Sequence, residues 1–199
     1  MNSVVDAERF RRALAAIDAA NAEDPSRITV RGVTRQKELT HAELVTDWVR
    51  RLRPDASEPL LLAARAHHIR RWTISRSAYP AGRAGYFQWR RDLHELHARE
   101  AVRILTNEGY DPPTANRVRD IVRKKNLATD PEVQALEDAL CLVFLETQFL
   151  DLAARLDAAR MGDVLRKTLR KMSEEGKRLA LTIEMPGEGR ALLERALVG

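Results

Sequence analysis

Apolar residues recur along this chain at helical intervals almost from end to end. From Val4 to Ala22, the residues Val5, Phe10, Leu14, Ile17 and Ala20 return mostly at three- and four-residue steps, behind a Ser3 suited to an N-cap. The same spacing, punctuated by Pro and Gly, predicts helices over about Arg35–Leu52, Glu58–Trp72, Arg83–Glu108, Pro113–Lys125, Asp130–Leu156 and Met161–Met172. Another begins after Ser173, and a short last one covers Arg190–Val198. The alternating run Ile28-Thr29-Val30, between Asp24-Pro25 and Arg31-Gly32, predicts at most a brief extended piece.

Several boundaries have a physical cause. Gly109 ends one helix, and Pro112-Pro113 suits the first turn of the next, where a missing N–H costs nothing. Asp130-Pro131-Glu132 repeats that start signal, whereas Ser75, Ser77, Pro80 and Gly82 make the stretch from Arg71 to Arg83 a loop between helices. No internal repeat or heptad seam is present, so the pattern predicts one all-α domain, a single helical bundle over residues 1–199.

Composition agrees with a packed globule: 44% of the 199 residues are hydrophobic, with nine Gly and eight Pro. The single cysteine, Cys141, lies in an apolar run and reads as a small buried hydrophobe, and no disulfide can form within the chain. No apolar run approaches membrane-spanning length and no signal peptide is evident, which predicts a cytoplasmic protein with no membrane partner.

Charge changes the picture in one place. The 34 Lys and Arg exceed the 29 Asp and Glu only modestly, but Pro59 to Arg91 holds seven arginines, His67-His68 and five of the ten aromatic residues without one acid. Planar cations among π faces suit a phosphate or carboxylate, so Arg71, Arg76, Arg83 and Arg90 are the candidate clamp for a small anionic substrate. Tyr79 and Tyr86 are candidate hydrogen-bond donors to it, and Lys125, beside Lys124 at a helix end, is a further anion contact. Trp72 and Trp89 read as packing residues first. Lacking a basic stripe or tail, the chain does not favour nucleic acid as the partner.

All five histidines fall between positions 41 and 97, and on a helix His94, His97 and Glu100 share one face. Glu137-Asp138 interrupts an apolar run, where carboxylates need either a cationic partner or a role as metal ligand or general base.

Motifs in a fixed order then carry a resemblance. They are His68-Ile69-Arg70-Arg71-Trp72, Arg76-x-x-Tyr79-Pro80-x-Gly82-Arg83-x-Gly85-Tyr86, Trp89-Arg90, His97-Ala98, Leu136-Glu137-Asp138, Val143-Phe144-Leu145-Glu146 and Arg170-Lys171-Met172-Ser173. Over about residues 3–185 the chain resembles an uncharacterised bacterial and fungal family known only as a domain of unknown function, leaving 186–199 as an extension. Some fungal members are labelled glutamyl-tRNA synthetase, but neither a Rossmann glycine fingerprint nor a lysine-containing nucleotide loop is present here.

More distantly, the order of candidate ligands is similar to that of the HD-domain superfamily, all-helical metal-dependent phosphohydrolases. That similarity implies an HD-like bundle binding Mn, Fe, Zn or Ni through His68, His97 and Asp138, with His41 or Glu38 completing the set, and with Asp138 and Glu137 as the catalytic carboxylates. The chain departs from the pattern in having His67-His68 where those enzymes carry a His-Asp dyad. The activity implied is phosphate-ester hydrolysis on a small phosphorylated or nucleotide substrate. A non-catalytic module for a nucleotide, RNA or acidic partner is the alternative, and a diiron oxygenase on the same scaffold is a further one.

Overall fold

The computed structural model describes residues 2–198, and helix dominates throughout. The order is α1 (Asn2–Ala22), β1 (Arg27–Val30), β2 (Val33–Gln36), α2 (Lys37–Leu52), α3 (Glu58–Ala66), α4 (Gly82–Asn107), α5 (Pro112–Val122), α6 (Pro131–Thr147), α7 (Phe149–Ala153), α8 (Ala158–Leu169), α9 (Glu174–Ala180) and α10 (Gly187–Val198). Single 3-10 turns at Arg71–Thr73 and Arg76–Ala78 bridge α3 to α4.

Side-chain caps fix five of the ten α-helix starts among the described residues. Ser57, Asp111, Asp130, Asp157 and Ser173 each accept a backbone N–H from the first turn of α3, α5, α6, α8 and α9. Prolines occupy the first turns of α3, α5 and α6, and Gly109 closes α4 with φ of 82°. Every one of these signals is local, which is why the sequence spacing anticipates most of the helices.

Four boundaries differ from that reading. α1 starts at Asn2, so Ser3 lies inside it. The extended piece is half of an antiparallel hairpin, with Ile28 opposite Arg35 and Thr29 opposite Thr34; its second strand is polar and gives no alternating signal. α3 stops at Ala66 instead of reaching Trp72, because Arg70 takes a left-handed φ of 55° and turns the chain. The long helix expected over Asp130–Leu156 breaks at Gln148 into α6 and α7.

One apolar core joins the elements, from Ile17 of α1 through Val45 and Val49 of α2 and Leu60 and Leu62 of α3 to Leu136 and Leu142 of α6 and Leu193 of α10. α6 packs along α2, and α3 lies against α2, α5 and α6. Cys141 is buried there as expected, its thiol pushed up to about 12 by desolvation. Among the described residues no helix is long and apolar enough to cross a membrane.

Candidate metal centre and its cationic wall

Buried polar groups gather where the first turns of α2 meet the end of α3 and the middle of α4, and a second pair, Glu137 and Asp138, lies on α6. Asp24, itself buried, accepts the backbone N–H groups of Ser26 and Glu38 and so fastens the start of α2. Glu38 and His41, one turn apart, are both buried. The abrupt end of α3 then turns His68 onto them: its Nδ1–H donates to Glu38 Oε2 at 3.2 Å, and His41 Nδ1 lies 4.0 Å from the same oxygen. One ligand atom from each of Glu38, His41 and His68 falls within 4.8 Å of the other two.

The remaining histidines gather around this group. The His67 and His68 rings lie 4.2 Å apart and the His68 and His97 rings 5.6 Å apart, while His94 lines the same small cavity as His67 and His68. His67 donates Nδ1–H to the Ala64 carbonyl at 2.8 Å, and His97 donates its own to the Ile69 carbonyl at 2.7 Å. A carbonyl can only accept, so these bonds fix the tautomer and leave Nε2 a bare lone pair in the neutral ring. Metal-ligating histidines are held in this way by their other nitrogen. Of these atoms His97 Nε2 is buried with no hydrogen-bond partner, and so is Nε2 of His41, whose Nδ1 makes no bond that fixes its tautomer.

Electrostatics keep the rings neutral. Burial lowers His41 below its usual value and lowers His97 to about 4; His67 and His68 are driven well down, by burial first and then by neighbouring positive groups, Arg71 among those acting on His68. At neutral pH the cluster therefore offers lone pairs, not charges, beside the carboxylate of Glu38.

A wall of cations closes one side. Arg71 lies over the Trp89 ring at 4.9 Å with Nε 4.0 Å from Glu38, and Arg90 reaches Tyr86 Oη and His94 Nε2, both at 3.4 Å. Lys124, with a left-handed φ of 56°, turns its ammonium onto buried Glu137. The space between this wall and the histidines is only about 20 Å³.

The other candidates are engaged elsewhere. Arg76 donates to the Tyr79 and Gly82 carbonyls and holds the loop, and Tyr79 Oη donates to Asp92 at 2.8 Å. Arg83 lies over exposed Phe87, and Lys125 pairs with Asp120. Glu137 answers Lys124 and Lys171, whose charges, with that of Arg90, outweigh burial and hold it below its usual value. Asp138 is apart from the Glu38 group: Ser173 donates its backbone N–H to Oδ1 and its hydroxyl to Oδ2, and Gln134 donates to Oδ1 at 2.9 Å. Burial still raises its pKa against those bonds. With both oxygens hydrogen-bonded, Asp138 anchors the start of α9 and lies outside the group formed by Glu38, His41 and His68.

A model described as a domain of unknown function (DUF4202) matches residues 11–193. The chain belongs to that family. Within this DUF4202 domain lie the whole histidine cluster, the cationic wall and the Asp138 anchor. No curated protein and no solved structure matches the chain.

Proposed function

We propose that this DUF4202 protein is a metal-dependent hydrolase of a small phosphorylated substrate, with Glu38, His41 and His68 holding a divalent transition metal. The observation that carries the reading is the orphaned Nε2 of His41, buried one turn from Glu38 in a group of three donors. An unpartnered buried polar atom costs about 1–3 kcal/mol, a loss that a ligand at that atom removes. Mixed imidazole and carboxylate donors suit Mn, Fe, Zn or Ni. His97 Nε2 is the further donor that the likeness to HD-domain enzymes points to, whereas the bonds of Asp138 argue against its joining the set.

The chemistry a bound cation supplies is Lewis-acid activation of a phosphate ester. The chain's own part is to receive the anion. Arg71 and Arg90 present donors beside the histidines, and Lys124 adds positive charge that Glu137 holds in position. Tyr86, its hydroxyl near Arg90, is the aromatic at the rim.

A binding role without hydrolysis is the second reading, favoured by the volume of about 20 Å³ behind the wall, roughly room for one water. A phosphate reaches the histidines only if Arg71, Arg90 or Lys124 swings aside.

The test is elemental analysis of protein purified without chelator or affinity tag, with thermal shifts on adding Mn, Fe, Zn or Ni. The expected result is one ion per chain, lost in His41→Ala and Glu38→Gln, with metal-dependent phosphate release from a phosphomonoester panel. Metal without phosphate release favours the binding role, or oxygenase chemistry where the ion is iron. No ion and no shift sinks the metal reading.

A further inference from the structure

A cavity of about 570 Å³ lies not at the histidines but at the other end of α2, between the hairpin, α6 and the turn from α9 to α10. Small-molecule sites commonly span roughly 300–1,000 Å³. Its wall is a ridge made by Trp48 and Arg51, whose guanidinium lies 4.0 Å over the indole ring. Stacking engages the face of the guanidinium and leaves its in-plane donors free for hydrogen bonds.

Four charged side chains line the cavity, and they divide into two kinds. Glu146 is satisfied: Trp48 Nε1–H donates to one oxygen at 2.8 Å, and Arg31, from the hairpin tip, donates to the other at 2.7 Å. Arg51 and Glu184 are uncommitted. Arg51 reaches only the Thr182 hydroxyl, at a long 3.4 Å, and neither residue makes an ion pair among the described residues. The open rim of the cavity thus carries one exposed cation on α2 and one exposed anion on the α9–α10 turn, neither in an ion pair among the described residues.

We infer that this cavity is a binding site for a small zwitterion bearing a carboxylate and an ammonium, of which a free α-amino acid is the simplest. The carboxylate pairs with the edge of the Arg51 guanidinium and the ammonium with Glu184. A simple anion would satisfy Arg51 but meet the repulsion of Glu184, and a simple amine the reverse, so selectivity comes from the pairing of opposite charges. No residue proposed to hold the metal lines this cavity, so the site stands independently of the hydrolase reading.

The experiment is calorimetric titration of the full chain with each of the common L-amino acids, with the matching hydroxy acid that lacks the amine, and with the matching amine that lacks the carboxylate. At least one amino acid should saturate at one per chain, with both analogues weaker by roughly tenfold or more. Glu184→Gln should erase the preference for the amino acid over the hydroxy acid, and Arg51→Ala the preference over the amine. His41→Ala should leave all of this unchanged. No saturation by any amino acid overturns the inference, as does a hydroxy acid that binds as tightly as its amino acid. The analogue comparison requires no variant and so remains decisive should one fail to fold.

Discussion

Two buried carboxylates, Glu38 and Asp138, differ in what surrounds them more than in how deeply they lie. Around Asp138 the polar groups find partners: the Ser173 N–H and hydroxyl and the Gln134 amide converge on it, and Gln134 also donates to the Lys171 carbonyl. Around Glu38 they do not, since the Nε2 atoms of His41 and His97 end without a partner in the core. A closed network specifies structure, whereas a network short of partners leaves room for one more, a water or a ligand. Hydrogen-bond accounting together with the three converging ligand atoms of Glu38, His41 and His68 thus sets the candidate centre apart from the structural anchor.

The largest effect should come from breaking the closed site. Asp138→Ala strands the Ser173 and Gln134 donors and loosens the start of α9, for an expected loss of about 3 kcal/mol in denaturant unfolding. Space adds to the constraint, because a Cβ on Gly176 would sit 2.7 Å from Asp138 Cγ. Metal uptake by the folded fraction should be unchanged. Loss of metal without loss of stability would invert the comparison.

How far this was legible in the sequence follows from where each determinant lies. Helix starts at Asp111, Asp130 and Ser173 are readable because cap and capped N–H are neighbours in the chain. Clustering of five histidines between positions 41 and 97 and the acid-free arginine block pointed to the region where Glu38, His41 and His68 meet beside Arg71. The different surroundings of Glu38 and Asp138 were not readable: the partner that satisfies Asp138 arrives 35 residues later, and the histidine that meets Glu38 arrives 30 residues later. Lys124 and Lys125 were likewise indistinguishable by type, since the left-handed turn at Lys124 sends one inward and leaves the other outside.

The open site should respond in the opposite way. Glu38→Gln keeps the shape and a group able to accept from His68 but removes the anionic ligand. The ion is expected to be lost on elemental analysis, while the unfolding midpoint stays near that of the native protein. A Glu38→Gln protein that loses stability and keeps its metal would make Glu38 the anchor instead.

Asp130 supplies a third carboxylate, of the satisfied kind, and its response is read through pH. Arg117 holds it in a two-point pair and brings its pKa down to about 2 from an unfolded value near 3.8. The folded form thus favours the ionised carboxylate; its contribution is complete above the unfolded value and is lost as pH falls through about 2. Asp130→Asn should remove about 2 kcal/mol of that acid dependence, seen as a flatter slope of unfolding free energy between the two values. An unchanged slope would place Asp130 outside the satisfied class.

The smallest effect tests the cationic wall with two neighbouring lysines. Lys125 is exposed and pairs with Asp120 at the surface, so Lys125→Met should change stability by less than about 1 kcal/mol and leave phosphate binding alone. Lys124→Met removes the ammonium that holds buried Glu137, leaving Lys171 as its remaining partner at 3.7 Å. Its stability should change little more than that of Lys125→Met, because Lys171 keeps Glu137 from being left unpaired. Inorganic phosphate binding, followed by titration with the protein metal-loaded, should nevertheless weaken in Lys124→Met alone. Equal weakening in both variants would mean that phosphate senses only the general positive field of this surface, and the wall would then lose its claim to be part of a site.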